Sequence, residues 1–174
     1  MKVTEVERWG VDIGNVLLWN VPENLRIALE TDEMSVEDMV EHLEEVPGAM
    51  QGLQFLIDRV GAERVWIISK ASALQEAVSR LALKSKFPLA TNLGFDLSHL
   101  RFCLEKIDKA PILQELGIQG HIDDRGEVIA SIQSFVPCPL WLHPEDWDYE
   151  LWRDRVTHRA VLVQTWQQIL EMFT

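Results

Sequence analysis

Six short apolar runs alternate along this chain with stretches of helical periodicity, and that alternation leaves few folds open. The runs lie in "RWGVDIG" (around residues 8–13), "RVWIIS", "LRFCL", "IQGHID", "CPLWLH" and "AVLV". Runs this short and continuously apolar suit strands buried on both faces. Between them, "PGAMQGLQFLIDRVG" repeats Met50, Leu53, Phe55, Leu56 and Val60 close to a 3.6-residue period and stops at Gly61. "SALQEAVSRLAL" and "GEVIASIQSF" read as helices, as does "KAPILQELG", with Pro111 in its first turn and Gly117 as its stop. "QTWQQILEMF" closes the chain as a last helix, whereas "KSKFPLATNLGFDLSHL", with Pro88 and Gly94, reads as irregular. Strand–helix–strand units cross over right-handedly and build parallel sheets covered on both faces. The expectation is one α/β domain over residues 1–174: a three-layer α/β/α sandwich, Rossmann-like, around a mostly parallel sheet.

One segment breaks the rhythm. After the first strand, residues 18–46 form an insert with room for one or two short helices. Within it "SVEDMVEHLEEV" reads as a helix, with Ser35 as N-cap and Asp38 at the capping-box position. Much of the acidity of a chain whose formal net charge is −12 falls here, as a solvated helical face would require. With no Lys/Arg cluster to meet a phosphate backbone, a nucleic-acid partner is not expected. No run approaches membrane-spanning length, and "MKVTEVERWG" is charged where a signal peptide needs an apolar stretch. Cys103 and Cys138 stand far apart in apolar segments and read as free thiols of a reducing compartment. A cytoplasmic protein with no membrane association is expected.

Polar residues at the carboxyl ends of parallel strands weigh more than polar residues elsewhere, because that edge is where open α/β sheets bind ligands. Four such signals occur in order. Asp12 follows the first strand, Ser69 ends the second, Lys109 opens a helix, and Asp123 with Asp124 ends the strand "GHIDD". Each alone also suits a turn or a helix cap. Together they bring three carboxylates to one edge, where they would repel one another unless a divalent cation with oxygen ligands relieved them. Lys109 is placed against the helix dipole, a mismatch tolerated where carboxylates or a phosphate lie opposite. The five histidines, His42, His99, His121, His143 and His158, are scattered, and His121 reads as a packed or surface residue. Trp19 reads as lining the site mouth or packing beneath a lid.

The order of these motifs resembles that of the haloacid dehalogenase-like hydrolases, and the resemblance spans nearly the whole chain. "VDIGNVLL" is similar to the family's first motif, "WIIS" to the second, Lys109 (with Lys106 as runner-up) to the lysine of the third, and "HIDD" to the acidic pair of the fourth. The resemblance implies a Mg²⁺-dependent phosphatase working through an aspartyl-phosphate on a small phosphorylated substrate. Asp12 would be the nucleophile, and Ser69 and Lys109 would bind the phosphoryl oxygens. Asp12, the Gly14 carbonyl and Asp124 would hold Mg²⁺. Asp123, Asn15 and Lys106 would support the site, and Lys109 with the cation would hold the Asp12 carboxyl ionised.

Gly14 departs from the pattern, since most of these phosphatases carry there the aspartic acid that protonates the leaving oxygen. Positioned acids contribute about 10²- to 10⁴-fold in rate. A second reading therefore stands beside the first: a catalytically weakened member that binds a phosphorylated ligand or a protein partner. A receiver-like signalling domain uses similar residues, but its acidic pair precedes the phosphorylated Asp, and here the pair comes last. The short insert implies a minimal cap and an open site, reached by an extended substrate or closed by a second copy of the chain.

Overall fold

The computed structural model describes residues 2–157 and 159–174, so His158 lies outside the described residues. Among the described residues six strands form one sheet: β1 (Trp9–Val11), β2 (Val65–Lys70), β3 (Leu100–Cys103), β4 (Gly120–Asp123), β5 (Cys138–Leu142) and β6 (Val161–Val163). Their order is β3-β2-β1-β4-β5-β6 and every pairing is parallel. The sheet is thus wholly parallel where a mostly parallel one was expected. β1 lies at its centre, with Val11 level with Ile67 of β2 on one side and Ile122 of β4 on the other.

Alternation along each strand splits the core into two layers. Val65 and Ile67 of β2, Trp9 and Val11 of β1, and Leu140 and Leu142 of β5 pack on one face. There they meet α3 (Ala49–Val60), α4 (Ala73–Ser85) and α9 (Trp166–Glu171). Ile68 and Trp141 point the other way, against Leu113 of α6 (Lys109–Glu115) and Val128, Ile129 and Ile132 of α7 (Gly126–Ile132). Both faces of β1, β2, β4 and β5 are therefore largely buried, which is why these strands read as continuous apolar runs, whereas the edge strand β6 leaves Val161 and Leu162 exposed.

The helix boundaries follow local chemistry. Ser72 caps α4 in a reciprocal box with Gln75, and Gly61 and Gly117 leave α3 and the α6 turn with positive φ. The stretch expected to be irregular holds a short helix, α5 (Leu89–Leu93), framed by Pro88 and by Gly94 at φ 68°. A further helix, α8 (Asp146–Trp152), follows β5 in a segment to which the sequence reading gave no element. Its buried Asp148 accepts a hydrogen bond from Gly126 N–H at the start of α7 (2.6 Å).

The insert holds α1 (Glu23–Glu30) and α2 (Val36–Glu41), the second capped by Ser35 as its sequence predicts. It returns as extended chain rather than helix. Trp19 N–H donates to Glu44 O, and Val46 N–H to Leu17 O, both at 2.9 Å, so the insert's two ends are stitched together beside the carboxyl end of β1. No helix among the described residues is long and apolar enough to cross a membrane. Cys103 and Cys138 are free, the second buried.

Candidate active site

The central position of β1 puts Asp12 between the ends of two neighbours. Asp12 N–H continues the ladder by donating to Ile122 O (3.0 Å), which sets it level with Asp123. Ser69 lies near the end of β2 on the other side. Asp12, Ser69, Lys109, Asp123 and Asp124 are all buried, in a part of the molecule where charge is costly unless compensated.

Lys109 supplies most of that compensation. From the first turn of α6 its ammonium donates to Asp123 Oδ2 at 2.7 Å and lies 2.9 Å from Asp12 Oδ1. The unfavourable helix-dipole position is thus answered by two carboxylates. Burial alone would lower the Lys109 pKa, but Asp12 and Asp123 outweigh it and drive it upward. Burial would likewise raise Asp123. Lys109 and His121 overcome that and hold its carboxyl well below the usual range.

The other two carboxylates go the opposite way. Burial raises the Asp12 carboxyl; Lys109 opposes this and Asp123 adds to it, with a net rise. Lys109 by itself therefore does not hold Asp12 ionised; the sequence reading assigned that task to Lys109 and the cation together. Burial, then Asp123 and Asp12, push Asp124 up to about 8. Two carboxylates driven toward protonation on the inner side of a cleft, beside one held ionised, make a site short of positive charge.

Carboxylate oxygens of Asp12, Asp123 and Asp124 lie within 4.8 Å of one another. Asp12 Oδ1 is buried and, although near Lys109, has no hydrogen-bond partner of acceptable geometry among the described residues. Among these residues no backbone N–H donates to the Gly14 carbonyl. Asp124 is oriented on two sides: Asn15 Nδ2 donates to its Oδ2 (3.0 Å), and Trp141 Nε1 donates to its backbone carbonyl (3.0 Å). These all-oxygen donors fit a hard divalent cation such as Mg²⁺.

Around this floor opens a cleft of about 320 Å³. Asp12, Gly14, Ser69, Lys109 and Asp124 lie on its inner side, and Leu18, Leu29, Met39 and Leu43 of the first loop and the insert form an apolar wall. Lys106 is on its rim, about a third exposed and 3.4 Å from Glu127, so Lys109 rather than Lys106 joins the carboxylates. Asn15 reaches the site because it adopts φ 53°, a left-handed conformation that asparagine tolerates. Trp19 lines the mouth, edge-on to His143.

His121 was not legible as a site residue. It is fully buried and its Nε2 lies 3.1 Å from Asp123 Oδ2. Gly10 across the ladder makes room for it: a Cβ there would come within 2.7 Å of His121 Nδ1. Only the glycine opposite, one residue before the Val11–Asp12 step, carried a hint of this.

No protein-family model matches the chain, and no curated protein matches it by sequence. Solved structures do. A D,D-heptose 1,7-bisphosphate phosphatase from B. bronchiseptica, complexed with magnesium and phosphate, superposes with a TM-score of 0.62 at 11% identity, covering 94% of this chain and 98% of its own. A haloacid dehalogenase-like hydrolase from Burkholderia xenovorans LB400 superposes with a TM-score of 0.64 at 12% identity, covering 94% of each chain. At this identity the likeness speaks for the fold, over nearly the full length of both partners. With the parallel sheet order and the acidic edge of β1 and β4, it establishes that this chain has the fold of the haloacid dehalogenase-like hydrolases.

Proposed function

We propose that this chain is a Mg²⁺-dependent phosphohydrolase that cleaves a small phosphomonoester through an aspartyl-phosphate. The observation that carries the reading is the buried group Asp12, Lys109, Asp123 and Asp124 at the carboxyl end of the two central strands, open to one cleft.

Asp12, the Gly14 carbonyl and Asp124 would hold Mg²⁺, which when bound offsets the charge of the phosphoryl oxygens and of the carboxylates around it. In that state Asp12 is ionised and attacks phosphorus in line. Ser69 and Lys109 bind phosphoryl oxygens and keep phosphorus in line with the attacking carboxylate. Asp123 acts through Lys109, fixing its ammonium, and His121 in turn fixes Asp123. Asn15 orients Asp124 toward the cleft. Water then cleaves the aspartyl-phosphate and restores Asp12. The apolar wall from the insert and the modest volume favour a compact substrate with an apolar portion next to its phosphate.

Hydrolysis of a panel of phosphomonoesters, with Mg²⁺ and with the metal chelated, tests the reading. Turnover that needs both Mg²⁺ and Asp12 supports it. Turnover undiminished in Asp12→Asn, or none on any ester in the presence of Mg²⁺, would sink it and leave the ligand-binding reading that Gly14 favours.

A further inference from the structure

The space beside Gly14 is not empty. A Cβ built on Gly14 would lie 2.8 Å from Asn20 Oδ1 and 3.7 Å from Asn20 Nδ2. The carboxamide of Asn20 thus fills the volume that a side chain two residues beyond Asp12 would use. The loop that brings it there is tight: Asn15 N–H donates to Leu18 O (2.8 Å), and Leu17 and Leu18 N–H both donate to Ile13 O (2.9 Å). Asn20 N–H then donates to Asn15 Oδ1 (3.1 Å), while the Nδ2 of the same Asn15 donates to Asp124. One buried side chain therefore anchors both Asp124 and the backbone of Asn20. Among the described residues nothing else engages the Asn20 carboxamide, which lines the cleft with Asp12 and Lys109.

We propose that Asn20 is a catalytic residue, whose Nδ2–H donates a hydrogen bond to the oxygen leaving phosphorus, from the place where the resembled family carries an acid. The proposal rests on the phosphohydrolase reading. A carboxamide donates hydrogen bonds but does not release a proton near neutral pH, so Asn20 stabilises the developing negative charge without neutralising it. An Asp12 oxygen forms its bond to phosphorus as the ester P–O bond breaks, and that electron pair goes to the leaving oxygen. The leaving oxygen takes its proton from a water molecule, producing hydroxide. Hydroxide attacks the phosphorus of the aspartyl-phosphate and the Asp12–phosphorus bond breaks, so ester plus water becomes alcohol plus inorganic phosphate. Donors aimed at developing charge are worth about 10²- to 10³-fold where water is excluded. For a side chain at the mouth of a cleft, about 10- to 100-fold is expected.

Two readouts test this in the Mg²⁺-supplemented protein: calorimetric binding of orthovanadate, a mimic of the transferring phosphoryl group, and hydrolysis of a series of aryl and alkyl phosphates. Asn20→Ala should weaken vanadate about tenfold or more, leave Mg²⁺ affinity and melting temperature unchanged, and steepen the dependence of rate on leaving-group acidity. Asn20→Asp, which puts a carboxyl in the same volume, should raise turnover of alkyl phosphates above that of the wild type. If Asn20→Ala matches the wild type in vanadate affinity and in the aryl-to-alkyl ratio, Asn20 is only a wall and the proposal fails while the phosphohydrolase reading stands. A wild type that binds vanadate but hydrolyses no ester would overturn that reading and the catalytic role with it.

Discussion

The Lys109 ammonium is hydrogen-bonded to Asp123 at 2.7 Å with both side chains buried, and it touches Asp12 from the same position. Truncation to Lys109→Met would leave two carboxylates without their countercharge. We expect a loss of about 3–5 kcal/mol in urea denaturation of the metal-free protein, together with loss of phosphatase activity. Lys106→Met removes only a rim pair with Glu127 and should change stability by less than about 1 kcal/mol. Equal effects of the two substitutions would contradict the assignment of Lys109 to the site.

Asp124 makes the metal-free protein sensitive to pH. Its folded pKa of about 8 lies far above that of an unfolded aspartate. The folded state therefore holds the proton more tightly, and this contribution to stability is lost as pH rises from about 4 through about 8. Asp124→Asn should flatten that decline and stabilise the metal-free protein at pH 8.5 by about 1–3 kcal/mol. It should also abolish the rise in melting temperature expected of the wild type on adding Mg²⁺. Proton release on Mg²⁺ binding, seen as a buffer-dependent calorimetric heat at pH 7, is the companion measurement. A Mg²⁺-induced rise in melting temperature as large in the variant as in the wild type would exclude Asp124 as a ligand.

Gly14 predicts a rate limited by the leaving group. Aryl phosphates, which need little protonation, should turn over much faster than alkyl phosphates. Gly14 is outside the left-handed region, so its backbone accepts a side chain, but the new Cβ meets Asn20 Oδ1 at 2.8 Å. Gly14→Asp should narrow the aryl-to-alkyl gap, and Gly14→Asp with Asn20→Ala should narrow it further, within the roughly 10²- to 10⁴-fold range of a positioned acid. Equal rates on both ester types in the wild type would place the proton donor elsewhere.

Gly52 lies inside α3, where propensity alone favours alanine by about 1 kcal/mol. The structure predicts the opposite sign. A Cβ there would fall 2.1 Å from Cε3 of Trp166, whose indole N–H donates to Val16 O in the loop after Asp12 (2.7 Å). Gly52→Ala should destabilise by about 1–3 kcal/mol in urea titration, and a stabilised variant would show that α3 and α9 pack differently.

Much of the fold was legible because its signals are local. Continuous apolar runs marked strands buried on both faces, and Ser35, Gly61 and Gly117 marked helix ends within a turn of where they act. Helices α5 and α8 were missed because they are short, and their stability comes from packing rather than from periodicity. The return of the insert as extended chain was missed for a related reason. Its hydrogen bonds go to Leu17 and Trp19, more than twenty residues away in sequence.

The sequence by itself determined which residue types reach the carboxyl edge of the sheet, since a residue at or just past the end of a parallel strand lies at that edge. Asp12, Ser69, Asp123 and Asp124 were placed by that rule alone. Tertiary structure decided what each of them experiences. Lys109 meets Asp12 and Asp123 whereas Lys106, three residues earlier, pairs with Glu127 at the rim, and Asp123 is held ionised while Asp124 is pushed upward, though they are neighbours in the chain. His121 becomes part of the site because Gly10 lies opposite it across the ladder, and Asn20 fills the space beside Gly14 because the loop after Asp12 folds back on itself. Charge and hydrogen bonding act over a few ångströms through space, and strand register and loop closure, not distance along the chain, set which groups come that close.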